Sequence, residues 1–165
     1  SLNENFRNRG KRFEEQVQVL RLLWTQPLVT FQGRWHHIPD AGLNPMPVQR
    51  PIPLWFGGSA DPVLERTARL ADGWMPNFKR VADAQPALDK IYTAMQAYGR
   101  EPQEMGLEPR LHYADGNPDT WHTILSEWQA AGASHLSFNT MGCGFSTPQQ
   151  HLSAIRKFAE SLSIA

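Results

Sequence analysis

The chain has a single cysteine, no net charge and no long apolar run, and each lack removes a class of explanation. Cys143 alone cannot form an internal disulfide, which fits a reducing compartment and a cytoplasmic location. Sixteen Lys and Arg against sixteen Asp and Glu leave no bulk field to attract nucleic acid or an anionic membrane. No stretch approaches the roughly 18 apolar residues of a membrane span, and no signal-peptide pattern opens the chain. A metal set is missing too. His36 and His37 are adjacent, so on a strand they face opposite sides, and His112 and His135 fall on different predicted strands.

What is present centres on Pro51-Ile-Pro-Leu-Trp-Phe-Gly-Gly-Ser-Ala60, followed by Ala71-Asp-Gly-Trp74. A short apolar run stops at two glycines and a serine, then opens an amphipathic helix that closes before the next apolar run. A strand, an anion-friendly loop and a helix delivered to another strand form a unit of parallel α/β architecture. Ligands of such folds sit on the loops at the strand C-termini.

The same grammar extends along the chain. Phe13, Val17, Leu20 and Trp24 recur at helical spacing, with Glu14 and Glu15 expected in the first turn and Pro27 ending the helix. Residues 28–38 read as a hairpin turning at Gln32-Gly33. A connector with five prolines follows over 39–53, expected to run as extended polyproline-like backbone. Next come a strand at 52–56 and a helix at 61–71, with Ser59 or Asp61 as N-cap, Pro62 near its first turn and Gly73 closing it. A strand at 74–77 leads to a helix with Leu88, Ile91, Met95 and Tyr98 on one face, stopped at Gly99. Residues 107–113 form a strand interrupted by Pro109. Asn117-Pro118 starts a helix with Trp121, Ile124, Leu125 and Trp128 inward and Gly132 at its end. Residues 135–139 form the last strand, and Thr147-Pro148 caps a helix carrying Leu152, Ile155, Ala159 and Leu162.

The predicted architecture is therefore α/β: four βα units at 51–165, preceded by a leading helix in 1–27 and a hairpin with its proline-rich connector in 28–50. A βα repeat implies a parallel sheet with right-handed crossovers. Two closures suit it equally, an open doubly wound sheet or half of a (β/α)8 barrel, which needs eight units and about 250 residues. The opening Ser1-Leu2-Asn3-Glu4, without methionine, reads as processing, a tag remnant or a fragment.

Several motifs, in order, resemble the luciferase-like monooxygenase superfamily. They are Phe6-x-x-Arg9-Gly10-x-Arg12-Phe13-x-Glu15 with Leu22-Leu23-Trp24, and Val29-Thr-Phe-x-Gly33-Arg34-Trp35. Then come Pro45-x-Pro47-Val48-Gln49-x-Pro51-Ile52-Pro53, Trp55-x-Gly57-Gly58-Ser59 and Ala68-Arg69-x-Ala71-Asp72-Gly73-Trp74. The similarity is greatest to members dependent on FMN or coenzyme F420. The resemblance implies a (β/α)8 barrel of TIM type with an insertion, usually oligomeric. It maps this chain onto the barrel's second half as a single incomplete domain, 1–165, from the helix after the fourth strand onward. The catalytic acid–base groups then belong to the missing half, and no catalytic residue is assigned here.

The leading candidate site is Gly57-Gly58-Ser59. Glycines let backbone approach a phosphate, a helix N-terminus offers unpaired N–H groups and partial positive charge, and the serine hydroxyl donates one more bond. The family's cofactor phosphate lies at the matching loop, so the resemblance implies cofactor binding at these three residues. The plain alternative is a tight turn with Ser59 as a cap. Lys79 and Arg80, after the next strand, could contact a phosphate or a deazaflavin's acidic tail and tilt the cofactor choice toward F420; a solvated pair is the competing reading. Arg9, Lys11 and Arg12, read as preceding a helix, divide between closing over the phosphate and a surface cluster. Either His112 or His135 could line the barrel mouth. Cys143 reads as an ordinary small residue in a glycine-flanked loop, and the tryptophans as core.

The resulting expectation is a flavin- or F420-dependent oxidoreductase or monooxygenase acting on a small organic substrate and assembling as a homo-oligomer. The alternative is a non-catalytic half-barrel that self-associates to cover its sheet edges and inner face.

Overall fold

In the computed structural model, residues 5–162 are described; the opening Ser1–Glu4 reading lies outside them. After one 3₁₀ turn at Phe6–Asn8, helix α1 spans Arg9–Thr25. Its Leu22 carbonyl accepts from the Gln26 N–H, and Pro27 stands where a further turn would need a donor. The antiparallel pair β1 (Val29–Gln32) and β2 (His37–Ala41) forms the hairpin, and its turn lies at Gly33 to His36, one step beyond the predicted Gln32-Gly33. Helix α1 also begins earlier than predicted. Arg9, Lys11 and Arg12 thus lie inside its first turn, and Glu14 and Glu15 lie past it.

The connector bends at 44–45 and 48–51 instead of extending straight, and its first residues belong to β2. The βα grammar then appears as predicted in type and order. Strand β3 is Trp55–Gly57, α2 Asp61–Leu70, β4 Gly73–Met75 and α3 Val81–Ala97. The predicted strand at 107–113 splits at Glu108-Pro109 into β5 (Gly106–Leu107) and β6 (Arg110–His112), because proline offers no donor to the ladder. Helix α4 (Pro118–Ala130), β7 (Ser137–Asn139) and α5 (Pro148–Ser161) complete the order. All sheet pairings after the hairpin are parallel: β3 with β4, β4 with β5, and β6 with β7.

Alternation along the strands separates two faces. Phe56, Trp74, Leu107, Leu111 and Phe138 point toward the helices, where Trp74, Trp121 and Trp128 are the largest fully buried side chains. The other face starts on Trp55, whose ring lies over Gly73 and Gly106 and meets His135 edge-on at 4.9 Å. A Cβ on Gly73 would sit 2.3 Å from that ring, so this glycine serves close packing, not the helix stop predicted for it. The helix ends earlier, at Ala71, and Arg100 caps it by donating to the Ala68 and Ala71 carbonyls at 2.7 and 2.9 Å. Asp72 accepts from the Leu54 N–H at 2.8 Å and from Arg21 at 3.1 Å, tying the approach to β3 to α1 and the end of α2.

Two helix faces depart from prediction. Tyr98 is largely exposed, with its hydroxyl on Glu65, and the helix turns out of α geometry at Gly99 beside it. On α5, Ala154 and Phe158 face inward, Phe158 stacking on Phe138 at 3.8 Å, while Leu152 and Ile155 stay half exposed.

Candidate functional site

Parallel pairing places the C-terminal ends of the strands along one edge, and the β3–α2 loop leaves from that edge. Gly57 ends β3, and Gly58 holds a φ of 107°, a conformation that L side chains rarely adopt. A Cβ there would also meet Val63 at 3.3 Å. The Gly58 carbonyl accepts from the Trp74 indole at 3.1 Å, so the buried core fixes the loop's acceptor. Ala60, not Ser59 or Asp61, is the N-cap of α2, and no side chain caps the first N–H groups. Ser59 is exposed, and the plain cap reading of this serine is not what the structure has. The Val63 and Leu64 N–H groups both donate to the Ala60 carbonyl, at 2.7 and 3.0 Å, and Pro62 has none, so the Asp61 N–H is the donor this first turn keeps for an anion.

Beside this loop lies a cavity of about 770 Å³ between α1 and α2. Its wall includes Gly57 and Ala60, the ring of Phe13, and four cations: Arg7, Arg9, Lys11 and Arg66. Phe13 packs edge-on against Phe56 at 5.0 Å, which orients the start of α1 over β3. Arg66 reaches the wall from α2, with its Nε donating to Glu14 at 3.1 Å and its fork lying against Gly10. Burial opposes the Glu14 charge, but the guanidinium groups of Arg69 and Arg66 hold its carboxyl below the ordinary value. The structure thus brings Arg9 and Lys11, two of the three basic residues singled out near the chain start, to the side of Gly57. Arg66 and Arg7 were missed. Arg66 follows Ser59 by two helical turns, a spacing that points back toward the loop only once α2 is known to cross α1.

The other candidates fall elsewhere. Lys79 pairs with Asp115 at 2.7 Å, and Arg80 makes a two-pronged contact with Glu127, through Nε at 2.8 Å and through Nη2. Both cations are spoken for, so the tilt toward F420 drawn from them loses its footing. The His36 ring donates from Nδ1 to the Glu15 carboxylate at the hairpin turn. His112, at the end of β6, sits 3.2 Å from the Asn139 amide at the end of β7, while His135 packs on Trp55. Cys143 lies beside the Met141 carbonyl at 3.8 Å. Among the described residues no cluster of three or more His, Cys, Asp or Glu could hold a metal, and no helix is long and apolar enough to cross a membrane.

Comparison with known proteins bears on the family and the fold. Residues 1–162 match the family described as luciferase-like monooxygenase. An uncharacterized protein of Mycobacterium tuberculosis is 46% identical over 70 residues, 42% of this chain and 24% of its own length. The FMNH(2)-dependent dimethylsulfone monooxygenase of Pseudomonas putida is 33% identical over 92 residues, 55% of this chain and 25% of its own length. This chain therefore covers about a quarter of each of these two relatives. In structure, it resembles an F420-dependent secondary alcohol dehydrogenase solved with an F420-acetone adduct. The TM-score is 0.75 at 15% identity, over 98% of this chain and 64% of that one. Its α/β fold with a parallel sheet is that of luciferase-like barrel enzymes, and the chain belongs to the luciferase-like monooxygenase family.

Proposed function

We propose that this chain contributes the phosphate end of the cofactor site in an FMN- or F420-dependent oxidoreductase that oxidises, reduces or oxygenates a small organic substrate. The observation that carries the reading is the start of α2 without a side-chain cap beside Gly57-Gly58-Ser59, with Arg66 on the adjoining wall. A phosphate suits that chemistry: loop N–H donors, a serine hydroxyl, and positive charge on a wall with no carboxylate among the described residues. The cofactor would supply hydride or electron transfer when bound. The chain's own part is to anchor the phosphate, exclude water with Phe13 and Trp55, and orient the ring system over the sheet.

On this reading, the parallel strands form one wall of a (β/α)8 barrel. The four βα units over 51–165 constitute its second half, and the single domain 1–165 is completed by further units. Half-exposed Leu152 and Ile155 on α5 and Leu20 on α1 are the surfaces such completion, or a homo-oligomer, would cover. The match over residues 1–162 favours the enzymatic reading over a purely structural module.

Calorimetric titration of the purified chain with FMN and with F420 tests the cradle. One of them should bind in the micromolar range, about −8 kcal/mol, and Ser59→Asp should abolish the heat by placing a carboxylate at the anion seat. Equal binding by wild type and Ser59→Asp would refute the phosphate assignment.

A further inference from the structure

The first turn of α1 is built against its own stability. Helix N-termini carry partial positive charge and favour Asp or Glu, as Asp61 and Asp83 provide in α2 and α3. In α1 that turn has no acidic residue and instead holds Arg9, Lys11 and Arg12, and its N-cap Asn8 makes no side-chain cap bond. Arg7 stands one turn earlier, in the 3₁₀ segment.

Arg12 has a partner of its own, but the other cations are not offset in this way. Among the described residues Arg7 and Lys11 pair with no carboxylate, and Arg9 is bound only by the Phe6 carbonyl at 3.0 Å and by the Phe6 ring at 3.7 Å. Glu14 is shared between Arg66 at 3.1 Å and Arg69 at 2.7 Å. Among the described residues the cavity wall thus holds four cations and no Asp or Glu. Like charges gathered in a concave, partly apolar wall repel one another more than they would on an open surface. One phosphate on Gly57-Gly58-Ser59 is satisfied by backbone donors and a single nearby cation, so Arg7, Arg9 and Lys11 exceed what it requires.

We infer that the groove between the first turns of α1 and α2 binds a second anionic group of the ligand, a phosphate or carboxylate held by Arg7, Arg9 and Lys11. This rests on the phosphate-cradle reading of the adjoining loop for the position of the first anion. The second group is either the acidic tail of the cofactor or an anionic substrate lying beside it. Arg9 and Lys11 then acquire a counter-charge when the ligand is in place.

Three ligands titrated into the full chain at low and at moderate salt separate the outcomes: FMN with one phosphate, F420 with a phosphodiester and an acidic tail, and inorganic tripolyphosphate. The variant Arg7→Ala/Lys11→Ala should weaken tripolyphosphate binding about tenfold or more, flatten its salt dependence, and change FMN binding by less than about threefold. The variant should also melt at or above the wild-type temperature, because it removes cations from a helix N-terminus; a merely structural role predicts the opposite shift. A matching loss for F420 assigns the second anion to the cofactor tail, and loss for tripolyphosphate with F420 unchanged assigns it to the substrate. Unchanged tripolyphosphate and F420 affinity would overturn the inference, as would an equal loss for FMN, which would merge the groove with the first phosphate seat. Ser59→Asp separates the two readings. If that variant binds FMN normally while Arg7→Ala/Lys11→Ala fails on tripolyphosphate, the cradle is wrong and the groove stands.

Discussion

Two pairs of cations near the sheet's C-terminal edge have opposite surroundings. Lys79 and Arg80, leaving β4, each meet a carboxylate from a distant part of the chain, Asp115 and Glu127. Arg7 and Lys11, packed toward the end of β3, meet none among the described residues. The first pair is structural. It fastens the loop after β4 to the turn at 113–115 and to α4, and Trp128 joins in by donating its indole N–H to the Lys79 carbonyl at 3.3 Å. The second pair, in a chain without net charge, is positive surface left over after folding has taken its partners. On the proposed reading, the absence of an internal carboxylate, not proximity to a strand end, marks a ligand-binding cation.

The comparison breaks most completely where both regions share a floor. Gly73→Val places a branched side chain where a Cβ alone would lie 2.3 Å from the Trp55 ring, which spans from β3 across Gly106 to His135. Overpacking of this kind should destabilise by about 3 kcal/mol or more, seen as a large fall in the urea midpoint. Trp55→Ala in the same chain should recover part of the loss, since it removes the ring that clashes. Gly58→Val is more local. Its φ of 107° and the 3.3 Å approach to Val63 should lower stability by about 1–3 kcal/mol and remove FMN or F420 binding. The region around Lys79 and Arg80 should keep its native hydrogen-exchange protection in that variant, and loss of protection there would show that the two regions are not independent.

The elements themselves were legible, because their signals are local: helical spacing at Leu88, Ile91 and Met95, Asn117-Pro118 as a start, Pro109 as a break. Asn117 accepts from the Thr120 N–H at 3.2 Å as such a cap should. What failed was the assignment of single residues whose role depends on a partner far along the chain. Gly73 looked like a helix stop because it follows a helix, but its neighbour is Trp55. Ser59 looked like a cap because serine favours that position, yet the backbone turns one residue later, at Ala60. Lys79 and Arg80 looked free because Asp115 and Glu127 lie 36 and 47 residues away. Of the cradle, Gly57-Gly58-Ser59 and Arg9 with Lys11 were visible as motifs, whereas Arg66 required knowing that α2 crosses α1.

Glu15 sharpens the contrast from the paired side. Burial opposes its charge, yet the Trp35 N–H, the His36 ring, and the Arg34 and His36 N–H groups hold its carboxyl at about 2, from an ordinary 4.5. The bonds are 2.7–2.9 Å long and clamp the hairpin turn to α1. A carboxyl depressed in the folded state contributes stability that is complete above about 4.5 and is lost as pH falls toward about 2. The urea midpoint of the wild type should therefore drop across that window, and Glu15→Gln should be less stable at neutral pH with a flatter acid limb. An acid limb of unchanged slope would mean the clamp survives protonation. This loss should be smaller than that of Gly58→Val, because it loosens the hairpin without touching the parallel sheet.

The smallest expected effect is also the most discriminating. Arg80→Ala and Lys79→Ala remove cations that already have carboxylate partners, so titration with FMN or F420 should give the wild-type affinity within about twofold. Each variant leaves one partly buried carboxylate, Glu127 or Asp115, that water still reaches, and the urea midpoint should move only slightly. Cofactor affinity that fell with Lys79 or Arg80 would mean these ion pairs open to receive a ligand. Internal pairing would then no longer separate structural cations from binding ones in this fold. Unchanged affinity here, set against a loss in Arg7→Ala/Lys11→Ala, would leave local charge balance as the property that distinguishes the two ends of the same sheet edge.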